Sequence, residues 1–174
     1  EIKINKSELI ILKGDITKQK TDAIVNAANK FLSPGGGVSG AIHKAAGYKL
    51  WQECQKLGGC KTGEAKITKG YELPARFVIH TVGPVYSGLK QDKLDLANCY
   101  RNSLELAKKY KLKSISFPSI STGIFGYPVG EAAEIALKTI TEFLNQNHQI
   151  ELVQMVLFDE NTYNAYINEA KRYL

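Results

Sequence analysis

The sequence has few cysteines, and none of them are arranged in pairs. Its 174 residues include only Cys54, Cys60 and Cys99, and no two of them have CxxC spacing. An odd set of this kind indicates neither a disulfide framework nor a standard zinc site, and it favours a reducing compartment. We therefore expect all three cysteines to pack in the interior. We also predict that the protein needs no metal and no cofactor.

Long hydrophobic runs are missing as well. The longest aliphatic run near the N-terminus, LIIL at residues 9–12, is far too short for a signal-peptide core or a membrane span. No internal repeat, low-complexity tract or linker is present. With 44% hydrophobic and 23% charged residues, residues 1–174 are predicted to form one soluble domain. We expect it to be monomeric, without membrane contact, and cytoplasmic, or nuclear in a eukaryote.

Basic residues outnumber acidic ones. The chain has 23 Lys and Arg against 17 Asp and Glu, a net charge of +6, and its pI is near 9.1. This excess favours an anionic partner such as a nucleotide, a nucleic acid or a phosphorylated protein. Much of the charge is scattered singly, as in residues 55–70, so a solvated basic surface is the alternative. The aromatic and basic interleaving of single-strand binders is absent, and we do not expect nucleic-acid binding.

Apolar runs alternate with helical patterns along the chain. Strands are predicted at residues 8–14, 22–27, 64–70, 76–82, 113–120 and 151–158. Helices are predicted at 38–57, 93–110 and 131–145, with Asp159 capping a last helix. The alternation predicts an α/β fold. We expect a three-layer α/β/α sandwich with a mixed, largely parallel central sheet, in which neighbouring strands of the first half are the candidates for antiparallel pairing.

Two glycine-containing loops follow predicted strands and lead into helices. They are NAANKFLSPGGGVSG at residues 26–40 and STGIFGYP at residues 121–128. Ligands of such sheets bind beyond the carboxyl ends of the strands, where helices begin with unpaired NH groups. The loops are therefore predicted to clamp a pyrophosphate, with ordinary turns as the alternative. Gly35, Gly37 and Gly40 also fit GxGxxG, but weakly, because polar residues separate them from the strand.

A more specific resemblance rests on several segments. In order, they are GDIT (14–17), AIVNAAN (23–29), GGGV (35–38) with GAIHKAAG (40–47), GCKTGEAKIT (59–68), VIHTVGP (78–84) and SISTGIFGYP (119–128). Their order and spacing resemble the macrodomain family, in particular its MacroD-type branch. The resemblance implies the macrodomain fold and binding of ADP-ribose or ADP-ribosylated proteins. It also implies hydrolysis of ester-linked mono-ADP-ribose from Asp or Glu side chains, or deacetylation of O-acetyl-ADP-ribose.

The resemblance assigns residues to the ADP-ribose site. Asp15 would accept a hydrogen bond from the adenine amino group beside the Ile16 backbone, and Phe158 would pack on adenine. A turn cap is the alternative role for Asp15, and a core position is the alternative for Phe158. Asn26 is placed in a supporting role. The two diphosphate-binding loops contribute Gly35, Gly36, Gly37, Val38, Ser121, Thr122, Gly123, Ile124 and Gly126.

The implied catalytic residues are Asn29, Ser39 and Phe125. Asn29 would hold the distal ribose hydroxyls, and Phe125 would line the distal ribose pocket. Ser39 stands where the branch usually has an aspartate thought to position or activate water. A serine hydroxyl orients water but is a poor general base. The serine thus indicates a slower hydrolase without a covalent intermediate, a different substrate, a non-catalytic ADP-ribose reader, or an engineered substitution. His43 and His80 are expected to be structural.

Overall fold

The computed structural model describes residues 1–174 and is built on one seven-stranded sheet. Its strands are β1 (Ile2–Ile4), β2 (Ser7–Lys13), β3 (Ala23–Ala27), β4 (Ala65–Lys69), β5 (Phe77–Thr81), β6 (Ser114–Phe117) and β7 (Leu152–Leu157). The sheet order is β1-β2-β7-β6-β3-β5-β4. The edge pairs β1/β2 and β4/β5 are antiparallel, and the inner pairs are parallel.

Helices cover both faces of the sheet. They are α1 (Gly37–Ala46), α2 (Tyr48–Gln55), α3 (Lys90–Lys109), α4 (Val129–Gln146) and α5 (Glu160–Ala170). Side chains of α1 and α2 share one apolar cluster with Ile24 and Val78, while α3, α4 and α5 share the other with Val25 and Ile79. Neighbouring residues of a strand therefore face opposite clusters, as expected for strands buried on both sides. The predicted three-layer α/β/α fold with a mixed sheet is confirmed.

Three local predictions need correction. The helix predicted over residues 38–57 is two helices, because the chain turns at Gly47 with φ +90°. L side chains rarely adopt this positive φ, so the conformation of Gly47 itself makes a break that sequence periodicity does not indicate. The strand predicted over 113–120 ends at Phe117, since Pro118 has no NH for a ladder bond. Strand β1, only three residues long, was not predicted.

Other predictions about local structure agree with the fold. The Asp159 carboxylate accepts a hydrogen bond from the Thr162 NH at 2.8 Å and caps α5, as predicted. All three cysteines are buried and free. Burial raises the pKa of Cys54 to about 11 and that of Cys99 to about 12, so these thiols stay protonated and unreactive near neutral pH. None of the helices combines the length and apolarity needed to cross a membrane.

A buried polar cluster lies between β3, β4 and β5. The Asn26 amide nitrogen is 3.2 Å from His80 Nδ1, and Thr68 Oγ1 is 2.9 Å from His80 Nε2. With the Asn26 amide nitrogen as the donor, His80 Nδ1 accepts, and Nε2 carries the proton toward Thr68. Burial, with a smaller contribution from neighbouring His43, lowers the pKa of His80 to about 3. His80 is therefore neutral and belongs to the interior, as expected.

The depressed pKa of His80 predicts that the fold loses stability in mild acid. An unfolded histidine takes up a proton near pH 6.5, whereas folded His80 does so only near pH 3. Between these values the unfolded state binds more protons, so the free energy of unfolding falls as the pH falls. The slope should approach ~1.4 kcal/mol per pH unit for this residue. Urea unfolding at a series of pH values measures it.

Two variants test the assignment of this slope. His80→Gln should flatten the pH dependence even if it lowers the stability at pH 7, whereas His148→Gln, at an exposed position, should leave it unchanged. An unaltered slope in His80→Gln would contradict the assignment.

Candidate functional site

The candidate site is a pocket of about 350 Å³ at the carboxyl edge of the sheet. Its walls are the loop between β3 and α1 and the loop between β6 and α4. This volume is within the range of small-molecule sites. The predicted site residues that line it are Asn29, Gly35, Gly36, Gly37, Val38, Ser39, Ser121, Gly123, Ile124 and Phe125.

Backbone NH groups, rather than charged side chains, are the main donors at this pocket. The NH groups of Gly35–Ser39 and of Ser121–Phe125 donate to no protein acceptor. The first run includes the N-terminus of α1, where Gly36 makes no side-chain cap hydrogen bond. The partial positive charge of a helix N-terminus and two runs of free donors favour an anion with several oxygen atoms.

Asn29 holds the first loop in shape through its side chain. Its Oδ1 accepts hydrogen bonds from the Phe31 NH at 3.0 Å and the Ser33 NH at 3.2 Å. Its Nδ2 donates to the Ser33 carbonyl at 3.1 Å. On the other side of the loop, a Cβ at Gly40 would overlap the Gly35 carbonyl oxygen, so α1 presses directly on the glycines. The free NH groups are thus fixed by a turn and by a steric contact.

The second loop closes on itself. The Tyr127 NH donates to the Ser121 carbonyl at 2.9 Å, and the Gly126 NH donates to Gly123 at 3.0 Å. Ser121 has φ +67°, a left-handed conformation that costs a non-glycine residue about 1–2 kcal/mol. Its buried hydroxyl has no hydrogen-bond partner. The loop therefore adds one unpaired side-chain donor to its row of NH groups.

Gly83 is a pocket residue that the sequence analysis missed. It follows β5 and lines the pocket. A Cβ there would overlap the Ser121 hydroxyl and lie 2.6 Å from Ile120 Cγ2. The sequence did contain a sign of it: in VGP at residues 82–84, a glycine precedes a proline at the end of a strand. Ala27, Ala28, Ser119 and Ile120 also line the pocket and were not predicted.

The three predicted catalytic residues meet around the same pocket. A Cβ built on Gly35 would lie 3.6 Å from Asn29 Nδ2 and 4.0 Å from Ser39 Cβ. Ser39 is buried, and its hydroxyl donates to the Ser33 carbonyl at 3.4 Å. The Phe125 carbonyl accepts from the Tyr86 NH at 2.8 Å on the opposite wall. No histidine or carboxylate contacts the Ser39 hydroxyl, so it has no base that would make it a nucleophile.

The residues predicted to bind adenine lie outside this pocket, beside β2 and β7. The Gly14 NH donates to the Leu157 carbonyl at 2.9 Å and joins the ends of these strands. Asp15 Oδ1 accepts from the Thr17 NH at 2.9 Å, so Asp15 does cap a turn, while its Oδ2 remains a free acceptor. The Ile16 side chain is buried, which leaves only its backbone available. Phe158 is 82% exposed, which excludes the core position.

Three other predicted site residues do not line the pocket. Asn26 is fully buried, with its amide nitrogen against His80. The Thr122 hydroxyl is 2.9 Å from the Ser119 hydroxyl, to which it donates. Gly126 has φ +74° and shapes the end of the second loop. No three His, Cys, Asp or Glu side chains are grouped in a way that could hold a metal ion.

The fold and the pocket define an α/β domain with an anion-binding site at the carboxyl edge of its sheet. A family model, that of the Macro domain, matches residues 25–136. The chain belongs to the Macro domain family. It is 53% identical to a macro domain-containing protein of Methanosarcina mazei, over 92% of this chain and 87% of that protein.

Two further comparisons concern a named enzyme and ligand complexes. The chain is 51% identical to the ADP-ribose glycohydrolase MACROD2 of Homo sapiens over 95% of its own length, but it covers only 40% of that protein. The Oceanobacillus iheyensis macrodomain with ADP has a TM-score of 0.95 and 52% identity, with 98% of this chain and 93% of that chain covered. The Trypanosoma brucei macrodomain in complex with ADP-ribose has a TM-score of 0.88 and 44% identity, with 92% and 68% covered.

The close packing at Gly83 predicts that Gly83→Ala destabilises the fold. The added methyl group must displace Ser121 and Ile120, and overpacking of this kind costs roughly 1–3 kcal/mol. Gly130 is the matched control, because it lies in α4 with nothing within 4 Å of an added Cβ. Gly130→Ala should stabilise the protein by about 0.5–1 kcal/mol. Urea unfolding measures both, and a Gly83→Ala variant as stable as the wild type would contradict the packing argument.

Proposed function

We propose that the chain binds ADP-ribose along the carboxyl edge of the sheet and hydrolyses ester-linked mono-ADP-ribose. The substrates are modified Asp or Glu side chains or O-acetyl-ADP-ribose. The observation that carries the proposal is the pair of free NH runs, Gly35–Ser39 and Ser121–Phe125, on the two loops that line the pocket. A diphosphate presents acceptor oxygens on several sides, and the two runs supply donors from opposite walls. The glycohydrolase name of the MACROD2 relative supports the hydrolytic half of the proposal.

The sheet order gives the ligand a direction. Four parallel strands end at this edge in the order β2, β7, β6, β3. The distance from the end of β2 to the end of β3 is three strand spacings, or about 14 Å. Adenine is placed at the β2 and β7 ends, between the free Oδ2 of Asp15 and the exposed ring of Phe158. The diphosphate then lies between the loops that follow β6 and β3. The distal ribose is left beside Asn29 and Phe125, where the reacting ester would sit.

Water is the attacking group in this proposal, because Ser39 has no base and no cysteine lines the pocket. For a modified Asp or Glu, the water oxygen forms a bond to the anomeric carbon of the distal ribose. The bond to the protein carboxylate breaks, and the carboxylate leaves with the electron pair. The water proton passes to a phosphate oxygen of the substrate, while the Ser39 hydroxyl orients the water.

A non-catalytic ADP-ribose reader is the second candidate function. It is favoured by one observation, the hydroxyl of Ser39 where a carboxylate would be a stronger base. Both candidates use the same pocket and the same ligand. They differ only in whether free ADP-ribose leaves the site.

The binding proposal predicts that the domain binds ADP-ribose much more tightly than AMP, since only ADP-ribose reaches both loops. Asp15→Ala should weaken binding by roughly 1–3 kcal/mol through the lost acceptor. Because Asp15 also caps a turn through Thr17, Thr17→Val is the control. It removes a hydroxyl bond to Asp15 Oδ1 but leaves Oδ2 in place, so affinity should hold. Isothermal calorimetry measures the affinities of the wild type and of both variants. If the wild type gave no heat with ADP-ribose at high protein concentration, the site would be refuted.

The catalytic proposal predicts slow hydrolysis by the wild type and faster hydrolysis by Ser39→Asp. The new carboxylate lies in the first turn of α1, where the helix dipole favours a negative charge, and can act as a base. Turnover of a glutamate-linked substrate should rise about 10- to 100-fold. Affinity for ADP-ribose should fall, because the carboxylate lies beside the diphosphate. If both proteins bind ADP-ribose and neither releases it from modified protein or deacetylates O-acetyl-ADP-ribose, the domain is a reader.

Asn29→Ala should lower turnover in both backgrounds, since the distal ribose would lose its orientation. The Asn29 side chain also holds the first loop in shape through hydrogen bonds, so the loss of turnover needs a structural control. Ser33→Ala removes one partner of Asn29 in the same turn, and Ser33 does not line the pocket. Single-turnover rates should fall much more for Asn29→Ala than for Ser33→Ala. Equal losses would assign Asn29 a purely structural role.

A further inference from the structure

We propose that a second depression, beside the ADP-ribose pocket, binds an acidic segment of the modified protein substrate. Residues 30–31 and 58–62 form this depression, which we call the lysine groove, and its volume is about 400 Å³. The inference rests on the proposed function, because it concerns the chain to which the distal ribose is attached. It adds a site for the protein part of the substrate, which the ADP-ribose pocket does not contact.

The lysine groove has a defined shape that depends on two glycines. The Cys60 NH donates to the Lys30 carbonyl at 2.9 Å and joins the two walls. Gly58 and Gly59 have φ +71° and +84°, a conformation that L side chains rarely adopt. A Cβ at Gly59 would also lie 2.8 Å from the Lys30 carbonyl oxygen. Residues 58–62 therefore press closely on the loop that carries Asn29.

On both walls, residues that line the groove are neighbours of residues that line the distal-ribose end of the pocket. On one wall Asn29 lines the pocket and Lys30, the next residue, lines the groove. On the other wall Thr62 lines the groove and forms a bridge to Val82, whose neighbour Gly83 lines the pocket. Along the sheet edge, β5 and β4 follow β3, on the side away from the adenine end. A protein linked to the distal ribose therefore leaves the pocket next to this groove.

The chemistry of the groove fits an acidic peptide. Lys30 and Lys61 are exposed and form no ion pair. Next to Lys30, Phe31 is 77% exposed, and its NH is held by Asn29 Oδ1. Two unpaired ammonium groups and one exposed ring suit carboxylates with an apolar side chain among them. With no arginine and a single aromatic ring, the groove lacks the stacking platform that nucleic acids require.

Other charged groups near the groove leave the two lysines dominant. The Lys66 ammonium donates to the Leu57 carbonyl at 2.9 Å and is already engaged. Two negative charges are also close: Glu64, two residues beyond Thr62, and Asp95, whose backbone packs against Gly63. Exposed ion pairs are individually weak, so we expect the groove to tune affinity by a modest factor rather than to bind a protein alone.

The first test does not depend on ADP-ribose. An unmodified peptide of glutamates around one leucine is titrated into ¹⁵N-labelled protein at low salt. Amide shifts should concentrate at residues 30–31 and 58–62 and should vanish in high salt. Shifts absent from this groove, or spread evenly over the basic surface, would overturn the proposal. Displacement of the peptide by RNA or by an ADP-ribose oligomer, but not by a second acidic peptide, would also overturn it.

The second test uses charge-matched variants. Lys30→Gln with Lys61→Gln should weaken binding of an ADP-ribosylated peptide with acidic flanks about 3- to 10-fold, and should leave free ADP-ribose unaffected. Lys3→Gln with Lys138→Gln removes the same charge elsewhere, on β1 at the far edge of the sheet and on α4. That control, and a peptide with neutral flanks, should show no change. Equal losses in the two double variants would overturn the proposal.

The two tests separate failure of this inference from failure of the proposed function. Absence of ADP-ribose binding would refute the proposed function, and the unmodified peptide would still decide the groove. Binding without hydrolysis would make the domain a reader that recognises acidic flanks. Phe31→Ala should lower the affinity for acid-flanked peptides by a further few fold. An unchanged affinity would show that the Phe31 ring does not contact the peptide.

Discussion

The site depends on backbone NH groups that the fold leaves without partners at the carboxyl edge of a parallel sheet. They are free because β3 and β6 end there, and because α1 begins without a side-chain cap. Two steric contacts keep the loops in place, Gly40 against the Gly35 carbonyl and Gly83 against Ser121. The shape of the anion site therefore requires glycine at these two positions, because a Cβ at either one would collide with the neighbouring loop. It needs no lysine or arginine in its lining.

This constraint also explains how the proposed catalytic residues are arranged. Asn29, Ser39 and Gly35 are brought together by one turn, in which Asn29 serves as a structural anchor as well as the proposed ribose contact. Ser39 sits in the first turn of α1, where a carboxylate would be favoured electrostatically but a hydroxyl stands instead. A site without a strong base must rely on positioning and on the substrate's own phosphate. Rigidity of the loops then matters more than the pKa of any side chain.

Much of the fold and site could be predicted from the sequence. Alternating patterns predicted the layers and the mixed sheet, and both glycine loops lie at its carboxyl edge. Residues that act through tertiary contacts could not be found in this way. The break at Gly47 depends on a positive φ that hydrophobic periodicity does not reveal, and the role of Gly83 depends on Ser121, which is distant in sequence. Strand β1 is too short to give a periodic signal. The sequence also could not show that one carboxylate oxygen of Asp15 caps a turn while the other stays free, because this depends on its hydrogen bonds.

The most direct test of the central claim is a titration of ¹⁵N-labelled protein with ADP-ribose, observed at the backbone amides. If the free NH groups bind the diphosphate, the largest shifts should fall on residues 35–39 and 121–125, with smaller shifts near Asp15 and Phe158. Each NH that gains a charged acceptor should move downfield. Saturable binding that leaves both runs of amides unshifted would contradict the account, because the ligand would then be held elsewhere on the molecule.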